Sequence, residues 1–166
     1  MKTLKRKAFL WWGIITILWM LLIYILSSQN GEQTAKLSLY ISDFISRFIG
    51  DGTEAAAAQT HMEIRKLAHI GLFFGLGVIS YLLVYYGILS DKFSWRHRLS
   101  MLIALVFTSG YGYFDEWHKQ FIEGRHFQLD EAALNIVSGC VGVLLICGVQ
   151  FLWQSYKRGR KNRNRS

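Results

Sequence analysis

The chain contains no proline. Nothing in its 166 residues therefore forces a helix to kink or stop. Cysteine is nearly absent too, with only Cys140 and Cys147 present. On one helix these two share a face but stand roughly 10 Å apart along the axis, too far to bridge. That excludes a disulfide between them within one helix and leaves buried or lipid-facing thiols. Charge is missing where apolar residues are dense: none falls in 8–26, 99–114 or 132–153, and 67–89 holds only His69. Acidic residues are few, 11 against 19 Lys and Arg, for a net charge of +8. The basic residues flank apolar blocks and no base-reading module is visible, so nucleic acid is not an expected partner.

What is present is length and apolarity. Each block is close to the ~20 residues a helix needs to cross a bilayer. The expected fold is all-α, a polytopic membrane protein of about four transmembrane helices. The first block is too long for the ~7–15-residue core of a signal peptide. It ends in Ser27-Ser28-Gln29-Asn30, without a cleavage pattern. The third block is the shortest. It spans only if its helix carries Asp115 to His118 into the interface. Trp11, Trp12, Tyr85, Tyr86, Trp95, Trp117, Trp153 and Tyr156 lie near block ends, as an aromatic belt would place them.

Thirteen of the 19 basic residues fall in the N-terminus, in 91–98 and in the tail after Trp153. The positive-inside rule then puts both termini in the cytoplasm, in a cell membrane. Residues 1–153 read as one transmembrane domain and 154–166 as a basic cytoplasmic tail attracted to anionic lipid. Between the first two blocks, Leu37, Ile41, Phe44, Ile45 and Phe48 recur at helical spacing and predict an amphipathic helix on the outer face. Glu54 to Gln59 reads as a further short helix. Gly71 with Gly75, and Ser138 with Gly142, offer sites of close helix contact.

Polar groups gather at one side of the membrane. Arg65, Lys66 and His69 open the second span, and Asp115, Glu116 and His118 close the third. Arg125 follows, and Glu131 and Asn135 open the fourth. Ionisable groups near hydrocarbon cost free energy unless they pair or meet water. Their convergence from three spans implies a shared polar cluster open to the outside. Glu131, Asn135, Ser138 and Gly142 form a stripe expected to turn inward.

Several strings then resemble the VanZ-like membrane protein family over about residues 8 to 150. They are Ser27-Ser28-Gln29, Arg65-Lys66-x-x-His69, Asp115-Glu116-Trp117-His118 through Phe121-x-x-Gly124-Arg125, and Glu131-x-x-x-Asn135. In the family pattern a Gln stands where this chain has Lys119, an Asp where it has Glu131, and often a Glu where it has Leu72. The resemblance implies a small bacterial envelope protein. The family's namesake is associated with low-level resistance to the glycopeptide teicoplanin, and no reaction is established for the family.

Three functions follow from the residues. In the first, Arg65, Lys66 and Arg125 form a cationic collar, with Glu131 and Asn135, for an anionic membrane lipid or lipid-linked envelope ligand. Asp115, Glu116 and Glu131 would hold the arginines in place. In the second, His69 or His118 acts as general base, oriented by Asp115 or Glu116, in an enzyme acting on an envelope lipid. In the third, the cluster only stabilises the bundle of a structural helper. No nucleophile elbow, P-loop or His-Glu-x-x-His string is present, and His69, Asp115, Glu116 and His118 match no known ligand spacing. No metal and no cofactor is expected.

Overall fold

The computed structural model describes residues 2–28, 54–88, 95–122 and 124–163. The expected amphipathic helix around Leu37 to Phe48 lies outside them. The described residues are helical and contain no strand. The elements are α1 (Lys2–Ser27), α2 (Glu54–Leu82), α3 (Arg96–Lys119) and α4 (Leu129–Arg163). Leu83–Ile88 extends α2 as one π-helical stretch.

Three segments are long and apolar enough to cross a membrane: Arg6–Ser27, Lys66–Ile88 and Leu129–Lys157. These are α1, α2 and α4. Helix α3 has 24 residues, the length of a span, but it ends in Asp115, Glu116, His118 and Lys119. It is not among the three.

One element differs from expectation. The alanine-rich segment after Glu54 is not a separate helix; it is the first turns of α2. Ala, Glu and Gln are strong helix formers, and no Gly or Pro separates them from the span that follows. Helix α4 runs on into the tail as far as Arg163.

The burial pattern is that of a protein whose solvent is lipid. Phe9, Leu10, Ile14, Ile17, Leu18, Leu21 and Leu22 are exposed on α1, whereas Thr16 and Ser27 are buried. Ser80, Ser100, Thr108, Asn135 and Ser138 are buried within the bundle. Apolar groups outside and small polar groups between helices are what a bilayer selects. Of the aromatic belt, Trp11, Tyr86, Trp95, Trp117, Trp153 and Tyr156 are exposed. Tyr85 is a correction: it is buried in a polar cluster described below.

Helix α4 packs along both α2 and α3. Its closest crossing with α2 depends on glycine. A Cβ on Gly77 would sit 2.1 Å from the Gly139 carbonyl oxygen, and one on Gly142 would sit 2.2 Å from that of Phe74. Backbones meet here with no room for a methyl group. Gly75 instead faces the Trp19 ring, and Gly71 has open space around it. The expected Gly71–Gly75 pair is therefore half a contact site. Helix α1 leans on α2 through Ile23, Phe73 and Leu76, and the Trp19 indole donates to the Leu72 carbonyl at 2.8 Å.

The antiparallel order brings the end of α1, the Lys66–His69 turn of α2, the end of α3 and the start of α4 to one pole. The opposite pole holds a second polar cluster, not foreseen from sequence. His97 Nδ1 lies 2.8 Å from the Tyr81 hydroxyl, and Nε2 lies 3.0 Å from Gln154 Oε1. Arg96 Nε donates to the Tyr85 carbonyl at 2.7 Å, and its guanidinium carbon stands 3.9 Å from the centre of the Tyr85 ring. These contacts tie α2, α3 and α4 together at that end.

Candidate functional site

The site is built on the last turn of α3. Asp115, Glu116 and Lys119 lie on one face at helical spacing and are buried with almost no exposure. The Lys119 ammonium contacts three carboxylates. It donates to Glu116 Oε2, donates to Glu131 Oε2 at 3.2 Å, and lies 3.8 Å from Asp115 Oδ2. Basic groups at a helix C-terminus and acidic groups at an N-terminus are each favoured by the helix dipole. Lys119 ends α3 and Glu131 sits in the first turn of α4, so their pair joins two favourable ends. The second oxygen of Glu116 accepts from the Gln128 N–H at 3.2 Å, just before α4 begins. One carboxylate thus fixes both the ammonium and the start of the next helix.

The connection from α3 to α4 is tight. Phe121 N–H donates to the His118 carbonyl at 3.1 Å and Ile122 N–H to that of Lys119 at 3.0 Å. Gly124 has φ +75, a left-handed conformation that suits glycine. The turn aims Arg125 back at α1, where Nη1 donates to the Ser27 carbonyl at 3.2 Å. Ser27 Oγ donates to Asp115 Oδ2 at 3.1 Å. The end of α1 is therefore tied to α3 and to the loop after it.

His118 is held on both ring nitrogens. Nδ1 lies 2.7 Å from the Asp115 carbonyl oxygen, which can only accept, so Nδ1 carries a proton. Nε2 lies 3.2 Å from Ser28 Oγ. Tyr24 stacks on the imidazole with ring centres 4.9 Å apart, and Phe114 lies at 6.1 Å. A short step away, Lys66, His69, Glu131, Leu134 and Asn135 line a cavity of about 10 Å³, room for one water-sized group. Asn135 is 1% exposed, and neither atom of its amide has a hydrogen-bond partner among the described residues. Among the same residues Asp115 Oδ1 is also buried without one.

A family model described as VanZ/LLP1 matches residues 12–153, most of the chain. The chain belongs to the VanZ/LLP1 family. No curated protein and no solved structure matches it.

Most of the residues expected at the VanZ-type site come together. Asp115, Glu116, His118, Arg125, Glu131, Asn135, Lys66 and His69 share one pole. Arg65 is on α2, but its side chain lies outside the described residues. The stripe Glu131, Asn135, Ser138 and Gly142 faces inward as expected. Lys119 was not expected in the site, yet it is the cation that Asp115, Glu116 and Glu131 surround. All three carboxylates contact Lys119, a partner that the expected pairing with arginines did not include. Physically, an ammonium three and four positions after two carboxylates on one helix meets both. That spacing was the available signal. Ser27 and Ser28 were also missed as site residues, although their string carried part of the family resemblance.

Proposed function

We propose that this pole binds an anionic amphiphile of the cell envelope, a membrane lipid or lipid-linked precursor, and that it faces outward with both termini in the cytoplasm. The single observation that carries this reading is the Asn135 amide. It is buried among α2, α3 and α4 with a donor and an acceptor unpartnered among the described residues, beside Lys66 and His69. A buried polar group without a partner costs about 1–3 kcal/mol, which a polar group of a ligand, or a water in the adjoining cavity, would recover. Two cation-capable side chains, Lys66 and His69, line this cavity, and Arg125 lies at the same pole. Arg125 suits a phosphate or carboxylate because its planar fork can make two parallel hydrogen bonds. Lys119 contacts all three carboxylates beneath and offsets one of their charges, which weakens their repulsion of an incoming anion. In this reading α3 is the fourth span, its polar end held at the interface by its partners. A lipidated glycopeptide has the same chemistry, and a change in teicoplanin susceptibility is the phenotype such binding produces.

Native mass spectrometry of the purified chain tests this. Phosphatidylglycerol is offered against phosphatidylcholine. A preference for phosphatidylglycerol that survives removal of residues 157–166 but is lost in Lys66→Ala/Arg125→Ala supports the reading. A preference lost with the tail alone contradicts it.

A further inference from the structure

We infer that Ser28 and His118 form a nucleophile–base pair able to cleave a carboxylic ester of a lipid. The pair stands on geometry independent of the Asn135 cavity. Ser28 Oγ is 3.2 Å from His118 Nε2, within reach for proton transfer. The proton on His118 Nδ1 is fixed by the Asp115 carbonyl at 2.7 Å, so in the neutral ring Nε2 is the lone pair that faces the hydroxyl. Nucleophile, base and an orienting acceptor behind the base are the parts an activated serine needs. Here the orienting group is a backbone carbonyl. The imidazole cannot swing away, because Tyr24 stacks on it at 4.9 Å and Phe114 lies at 6.1 Å. Ser28 itself is half-buried and so remains reachable.

The surroundings set the substrate class. Tyr24, Phe114, Trp117 and Phe121 are exposed around the pair and present an aromatic surface at the end of the apolar spans. Such rings sit at the level of lipid headgroups, where the ester carbonyls of acylated lipids lie. Arg125, bonded to the Ser27 carbonyl at 3.2 Å, brings a cation within one peptide unit of the nucleophile. In this mechanism it stabilises the oxyanion.

The step balances with water as the co-reactant. Ser28 Oγ adds to the ester carbonyl carbon while its proton passes to His118 Nε2, and the carbonyl electron pair moves onto oxygen. The tetrahedral species collapses and the bond to the alcohol oxygen breaks. The alcohol leaves with the proton from His118. Water then adds to the acyl-Ser28 ester and gives its proton to His118. The carboxylic acid departs and Ser28 recovers the proton. One ester and one water yield one acid and one alcohol.

The inference rests on the proposed reading only in taking this pole as the ligand-facing one. The two are separable, because an uncharged alkyl fluorophosphonate reports an activated serine without any anion-binding group. The full-length protein in detergent micelles is treated with that probe, and the adduct is located by peptide mass spectrometry. The wild type is expected to carry one adduct, on Ser28. Ser28→Ala should abolish it, and His118→Gln should slow labelling roughly a hundredfold or more, within the ~10²–10⁴-fold range of a general base. Ser155→Ala, at the opposite pole, should leave it unchanged. A folded wild-type protein that gains no adduct on Ser28 overturns the inference. So does labelling of Ser28 at an undiminished rate in His118→Gln.

Discussion

Replacing Lys119 by methionine keeps an unbranched stem of similar length and deletes only the ammonium. The site predicts a large loss of stability. The ammonium is 3.2 Å from Glu131 Oε2 and 3.8 Å from Asp115 Oδ2, with Glu116 Oε2 nearer still. At an effective dielectric of about 20, one opposite charge at these distances contributes about 4–5 kcal/mol before desolvation is subtracted. Desolvation of the lysine offsets much of this sum in the wild type. It offers no relief in the variant, where buried carboxylates remain without their cation. Removing one partner of a buried pair costs about 3–5 kcal/mol, and Lys119→Met should fall in that range. Reversible unfolding in mixed micelles of a mild detergent and sodium dodecyl sulfate measures it. The double variant Glu116→Gln/Lys119→Met removes a charge together with its partner, and should recover part of the loss. The glutamine can still accept from the Gln128 N–H. A Lys119→Met protein within about 1 kcal/mol of wild type would refute the argument that this ammonium holds the cluster together.

Other substitutions probe the scaffold and the rim. Gly142→Ala places a methyl group 2.2 Å from the Phe74 carbonyl oxygen, so α2 and α4 must separate; a loss of about 1–3 kcal/mol is expected in the same unfolding assay. Gly71→Ala, with open space around it, should change stability by less than about 0.5 kcal/mol. Arg125→Lys keeps the charge and removes the planar fork, so phosphatidylglycerol retention should fall while membrane insertion and folding persist. Reporter fusions at the two ends should both report a cytoplasmic location, and a cysteine label at Gln120 should react from outside only.

The membrane class was legible because it depends on long-range composition. Uncharged blocks, an absence of proline and basic flanks survive any error in helix boundaries. The converging pole was legible for a related reason. Lys66, His69, Asp115, Glu116, Arg125, Glu131 and Asn135 all sit near span ends on one side, and an antiparallel bundle has to bring such ends together. Pairing within the pole was less visible. Lys119 stood in the sequence only as a departure from the family pattern, and its burial in the last turn of α3 depends on the packing of α4. Ser28 could not be matched to His118 from sequence, because the two are separated by most of the chain and meet only through the packing of α1 on α3. The His97 cluster at the other pole was hidden for the same reason. Tyr81 and Tyr85 read as span and belt residues, and Gln154 as the start of a tail, until one imidazole joined them.

The central claim is that the pole formed by Lys66, His69, Asp115 to Lys119, Arg125 and Asn135 meets an anionic amphiphile. Photo-crosslinking tests it most directly, using phosphatidylglycerol with a diazirine placed near the headgroup and the full-length protein in nanodiscs. The account expects headgroup adducts concentrated on peptides from the end of α1, the end of α3 and the start of α4, and displaced by unlabelled phosphatidylglycerol. Adducts confined to the opposite pole around Trp95, Trp153 and Tyr156, with none near Tyr24, Trp117 or Arg125, would contradict it.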